Sequence, residues 1–162
     1  MRGKFDLILA MAQSYDMQEG LRQRVLFRDR LCVVARKDHP LSDVLSVTWP
    51  MLAEYPWVCP VTGQYHTVLE NVMQASGTTL EGKITGCDSL TLLKGLVLGS
   101  DHLSLLPEHA LEAELRTQRM VVLPIESANL NRGITLFFRE GYDLAVPANA
   151  LVDSVRAVGM SL

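Results

Sequence analysis

The chain has 162 residues, 48% of them hydrophobic and 20% charged, with a formal net charge of −3 and a pI near 5.8. That length buries a real core and suits one or two small domains. The acidic balance argues against the electrostatic footprint of a nucleic-acid or anionic-membrane binder, and the apolar runs, soon broken by Gly, Pro or charge, exclude a membrane span.

In chain order, "MRGKFDL" at the N-terminus has no signal-peptide core. "FDLILA", residues 5–10, reads as a short buried strand, followed by a helix or loop region. The charged run "RQRVLFRDR" reads as a solvated edge. Leu31 to Ala35 then form a strand that Pro40 ends, with His39 shaping the "DHPL" turn. "TWPMLAEY" suits a short helix, with Thr48 as its cap and Pro50 in an early position, stopped by Pro56. "WVCPV" is the next strand. Apolar residues at 65, 68, 69, 72 and 73 give the i, i+3, i+4 spacing of an amphipathic helix, closed by Gly77. Trp49 and Trp57 are expected in core or hinge packing.

"GTTLEGKI", residues 77–84, matches G-x-x-x-x-G-K, one residue short of a phosphate-binding loop. Such a loop follows a strand and opens a helix. Here Gly77 ends a helix, the segment leads into a strand, and Ile84 offers no hydroxyl for magnesium, so no nucleotide site is expected.

"SLTLLKGLVLGS" is a helix with Asp88 or Ser89 as N-cap and Gly99 as its end. "HLSLLP" is a strand, Pro107 opens a third helix, and "MVVLPI" and "RGITLFFRE" are strands. A final helix starts at Pro147. The alternation implies an α/β fold with a mainly parallel sheet. Residues 57–126 suffice for a small α/β domain, the flanks 1–55 and 129–162 would form a second, and the polar stretch 127–133 would carry the chain back. An inserted domain joined by two crossings makes a cleft, a favoured place for small-molecule sites.

These stretches carry a resemblance. "GKFDLILA", "RDRLCVVARKDHPLS", "SLTLLKGLVLGSDHLSLLPEHAL" and "VVLPI" followed by "GITLFFREG" resemble, in this order and at these distances, the C-terminal effector-binding part of a LysR-type transcriptional regulator. The resemblance implies two Rossmann-like subdomains of the type 2 periplasmic-binding-protein fold, joined by two crossover strands. Subdomain I would comprise 1–55 and 129–162, and subdomain II 57–126. Two departures stand out. Ser100, Asp101 and His102 replace a second glycine the family usually has, so that turn is expected to be reshaped. A family member would also carry a winged helix-turn-helix, a linker helix and the first elements of subdomain I before the position of Gly3. The chain is therefore expected to be a fragment or a truncated gene product with subdomain I incomplete, whose exposed sheet edge invites self-association.

The resemblance implies a small metabolite, often anionic, bound in the cleft. The residues agree on the means, because helices beginning near Thr62–Gly63–Gln64 and near Asp88–Ser89 would present free N–H groups to a carboxylate or phosphate. Family contacts carried over by position fall on Pro60, Thr62, Gly63, Cys87, Asp88 and Ser89, with Met11, Gln13 and Phe137 on the other wall. Asp88 disfavours an anion beside it, which leaves the ligand class open. Plain helix capping also accounts for Thr62, Asp88 and Ser89, and Cys87, with no partner cysteine nearby, reads as an inert buried thiol rather than a redox sensor.

Three cysteines at wide spacing (Cys32, Cys59, Cys87) suit reduced thiols in a cytoplasm, and His102 and His109 lack Cys or Glu at metal-ligand spacing. There is no G-x-S-x-G elbow and no nucleophile–base set. The resemblance implies a sensing and oligomerisation domain, not an enzyme, without cofactor or membrane partner, that reaches DNA only through a helix-turn-helix domain outside this chain. A stand-alone solute-binding module of the same fold is the alternative.

Overall fold

The computed structural model describes residues 7–12, 20–62, 65–125, 130–141 and 144–160. The elements in order are β1 (Leu7–Ala12), β2 (Leu21–Arg36), α1 (Trp49–Ala53), β3 (Trp57–Cys59), α2 (Tyr65–Ala75), β4 (Ile84–Gly86), α3 (Leu90–Gly99), β5 (Ser104–Pro107), a 3₁₀ turn (Glu108–Leu111), α4 (Glu112–Arg116), β6 (Met120–Val122), β7 (Asn131–Arg139) and α5 (Val146–Gly159). The chain divides into two compact units, Met1–Arg30 with Asn131–Leu162, and Leu31–Leu130. The boundary between them falls within β2, after Arg30.

In the first unit β7 lies between β1 and the first half of β2, antiparallel to both. A helix or loop was expected before Leu31, yet Leu21–Arg30 is strand, and a solvated one: Arg22 to Val25, Arg28 and Arg30 are exposed. A bulge between Val25 and Phe27 makes Leu26 an extra residue, and Leu26 packs with Leu136 and Val152 of α5 as this unit's core. Asp29 faces Arg132 in register, and the Arg132 guanidinium donates to its carboxylate, Nε at 2.9 Å.

In the second unit Leu31–Ala35 is wholly buried, and Val34 has a partner in both β5 and β6. These ladders are antiparallel. Among the described residues only β3–β4 and the Trp57–Leu103 bridge are parallel. The expected mainly parallel sheet is thus corrected: β5, β6 and β7 all run back along one long strand, which alternation of elements alone does not reveal.

Tyr65, Val68, Leu69, Val72 and Met73 of α2 all face the core that Trp57, Leu52 and Leu105 build, as their spacing requires. Trp49 packs against the same core. Gly77, at φ +73°, ends α2 in a Schellman motif, its N–H bonded to the Gln74 carbonyl and that of Thr78 to the Met73 carbonyl. Lys83 donates from Nζ to the Ala53 carbonyl at 2.7 Å, so the lysine of the apparent phosphate loop caps α1 instead. Thr48 offers α1 no side-chain bond, whereas Pro50 does sit in the first turn. Pro107 precedes a 3₁₀ turn, with α4 following it. The turn after α3 is held by Ser100 Oγ donating to the Leu96 carbonyl at 2.6 Å and by the Arg36–Asp101 ion pair at 2.8 Å.

His39 is 2% exposed, with its ring 4.5 Å from that of Tyr55. Its Nδ1 accepts the Leu41 N–H, and its carbonyl accepts the Ser42 hydroxyl. Burial holds its pKa below the ordinary 6.5 against the raising influence of Asp101. A base with a depressed folded pKa favours the folded state fully above its unfolded value. That contribution is lost as pH falls below 6.5 toward the folded value. Stability should therefore decline as pH falls below 6.5, above the range where the lowered Asp88 and Glu114 carboxyls act. Urea titrations of wild type and His39→Gln should show that decline in wild type alone; an identical slope in both would remove His39 as its cause.

Gly159 ends α5 against Phe27, where a Cβ would lie 2.2 Å from the ring. Gly159→Ala should cost about 1–3 kcal/mol through overpacking. A denaturation midpoint equal to that of wild type would mean that the ring swings aside freely.

Candidate functional site

The site begins with β3. Its three residues are fully buried, and Trp57 Nε1 donates to the Leu52 carbonyl at 3.1 Å. On one side Val58 N–H bonds the Leu103 carbonyl, and on the other β3 pairs in parallel with β4, from Trp57–Ile84 to Cys59–Gly86. Parallel pairing brings the carboxyl ends of both strands to one place, the side of an α/β sheet where ligands bind. The loops that follow, 60–62 and 87–89, therefore lie together. Cys87 N–H continues the pairing to the Cys59 carbonyl at 2.9 Å. Gly86 permits the approach: a Cβ there would lie 2.5 Å from Val61 Cγ2.

One carboxylate joins the two loops. Asp88 Oδ1 accepts the Thr62 N–H at 2.8 Å and the Val61 N–H and Thr62 hydroxyl at 2.9 Å each. The backbone bond from Thr62, then its hydroxyl, and the bond from Val61 hold the Asp88 pKa below the ordinary carboxylate value against slight desolvation. Ser89 is the N-cap of α3: its Oγ accepts the Leu92 N–H at 3.4 Å, and its carbonyl accepts the Leu93 N–H at 2.8 Å. Of the two candidate caps the serine holds α3, and Asp88 serves the neighbouring loop. Cys87 is half-buried, its Sγ 3.5 Å from the Ser89 carbonyl. Cys59 is buried, and desolvation raises its pKa to about 11.

Thr62, Cys87, Asp88 and Ser89 are thus brought together at the ends of β3 and β4, with Pro60 next to β3. Met11 and Phe137 belong to the first unit, Met11 opposite Ile134 on β1 and the half-buried Phe137 opposite Ile8 and Gln23 on β7. Gln13 and Gly63 lie outside the described residues, as does the Met11 side chain. Sequence reasoning missed the Val61 N–H, a backbone donor with no residue-type signal. It also missed a groove of about 610 Å³ along α2, lined by His66, Glu70, Gln74, Thr79 and Glu81 among others. Among the described residues no group of three or more His, Cys, Asp or Glu is placed to hold a metal ion, and no helix is long and apolar enough to cross a membrane.

Burial and the raised Cys59 pKa predict the order of thiol reactivity. In the native domain at neutral pH iodoacetamide should modify Cys87 well before Cys59, as read by mass spectrometry of timed samples. Equal rates would show that the β3 core opens on the labelling timescale.

Comparison with known proteins shows the family and the fold. The family model described as "LysR substrate binding domain" matches residues 1–159. The chain is 27% identical over 157 residues to the HTH-type transcriptional regulator GalR of Pseudomonas putida, covering 96% of this chain and 39% of that protein. It thus spans about two fifths of the length of that curated relative. Among solved structures, the CcmR regulatory domain from Synechocystis PCC6803 in complex with 2-PG superposes with a TM-score of 0.74 at 19% identity, over 96% of this chain and 74% of that one. The MetR regulatory domain from N. meningitidis gives a TM-score of 0.76 at 15% identity, over 94% and 70%. The mixed α/β fold is that of LysR regulatory domains, of the type 2 periplasmic-binding-protein kind. The chain belongs to the LysR substrate-binding domain family.

Proposed function

We propose that this domain binds a small-molecule effector at the carboxyl ends of β3 and β4, as the sensing part of a longer LysR-type transcriptional regulator. The observation that carries the reading is the meeting of loops 60–62 and 87–89 on Asp88, which gathers a hydroxyl, two backbone N–H groups and a carboxylate at one point. The family match and the printed name of the Pseudomonas putida relative support the regulatory part. The 2-PG complex of the CcmR domain supports effector binding by this fold.

In this reading Pro60, Thr62, Cys87, Asp88 and Ser89 contact the effector. Binding favours one orientation of the subdomains, and only by as much as the effector's affinities for the two states differ. The shift passes through a homo-oligomer to helix-turn-helix domains that reach DNA. The domain holds its ligand without transforming it and acts in the cytoplasm.

The test is a metabolite panel read by thermal stability, since a ligand specific for the folded state raises the midpoint. Each hit is then repeated on Thr62→Ala/Ser89→Ala. The double variant should stay folded and bind roughly tenfold or more weakly, as expected when hydrogen bonds worth about 1 kcal/mol each are lost. Unchanged affinity would move the site elsewhere.

A further inference from the structure

We propose that Asp88 determines the charge class of the effector: its carboxylate occupies the donors of loop 60–62, so the effector presents a neutral or cationic group, not an anion, at Thr62. The inference rests on the effector site proposed above and deepens it. The three donors on Asp88 Oδ1, at 2.8 to 2.9 Å, are those a bound carboxylate or phosphate oxygen would take. Here a side chain of the same domain takes them.

Two features hold Asp88 in place. The Cys87–Cys59 backbone bond fixes the preceding residue, and Ser89, the next, is fixed as the cap of α3. The tethered carboxylate therefore competes with free anions at a high effective concentration. The close approach of Val61 to Gly86 sets the receiving loop against the end of β4. An anion arriving at Thr62 would have to displace Asp88 or lie beside it, within the ~4–6 Å over which like charges disfavour each other. A hydroxyl, an amide N–H or an ammonium meets the opposite situation, because Asp88 offers it an ionised acceptor. The lowered Asp88 pKa keeps that acceptor charged at neutral pH.

The experiment uses inorganic phosphate as the probe and the chain itself, at constant ionic strength set with chloride. Thermal midpoints and amide spectra are followed for wild type, Asp88→Ala, and Asp88→Ala/Thr62→Ala. Wild type should show no phosphate-dependent rise and no shift of the Val61 and Thr62 amides. Asp88→Ala, with its donors freed, should bind phosphate at least about tenfold more tightly than wild type. Adding Thr62→Ala should remove most of that gain. Should Asp88→Ala fail to fold, Asp88→Leu keeps the size of the side chain without an acceptor, and its amides should respond to phosphate where those of wild type do not.

Phosphate binding by wild type at Thr62 would overturn the proposal, and so would an Asp88→Ala protein as indifferent to phosphate as wild type. These readouts need no effector. An empty metabolite panel would sink the proposed function by itself. A panel hit whose carboxylate lies on Thr62 would uphold that function and sink this inference.

Discussion

The structure depends on β2, one strand of 16 residues that serves two different environments. At ~3.3 Å per residue it extends roughly 50 Å. Its first half is an edge among the described residues, pairs with β7, and keeps most of its side chains in water. Its second half is paired with both β5 and β6 and is buried at five successive residues. The sequence changes character accordingly, from arginines interleaved with Val25, Leu26 and Phe27 to the unbroken "LCVVA". Each half is stable only where its pattern suits the local pairing, and a shift of register by one residue would turn the alternating half inside out. The Leu26 bulge and the in-register Asp29–Arg132 pair both fix that register. Four arginines along the exposed half also discourage the addition of a further strand there.

The second unit builds its candidate site with little machinery. Two three-residue strands, a glycine and an aspartate suffice. Trp57 anchors β3 in the core, parallel pairing aligns the strand ends, Gly86 removes the one side chain that would hold the loops apart, and Asp88 gathers their donors. The stability of the arrangement comes from the buried apolar residues, while the exposed Asp88 carboxylate sets its electrostatic character. Packing and surface charge are thereby separated, so a change at Asp88 alters the charge and the free donors of the loops without touching the core beneath them.

Much of this was legible in the sequence where the signal is local. The spacing of residues 65 to 73 gave the buried face of α2, Gly77 its end, and the Ser89 hydroxyl the start of α3. Reading the glycines of 77–84 in context removed the apparent phosphate loop, and Lys83 proves to serve α1. The misses are non-local. The charged half of β2 reads as a solvated loop or edge because half its residues face water, and its strand character depends on β7, more than a hundred residues away. The antiparallel ladders follow from that same long pairing. Asp88 was read as a helix cap because its type and position suit one. Its real partners are 26 and 27 residues back, brought near only by the parallel pairing of β3 with β4.

The division of the chain has a consequence for folding order. The second unit is continuous in sequence, whereas the first is made from the two ends of the chain, and Asp29 and Arg132 stand 103 residues apart. Closing a loop of that length before any interior structure exists carries a large entropic cost. Once Leu31–Leu130 is compact, the loop is already short in space, and Arg30 can pair with Asn131 at little further cost. The second unit is thus able to fold during synthesis, while the first must wait for β7 and α5. A chain stalled before Asn131 would hold a finished second unit beside an unpaired, arginine-rich strand.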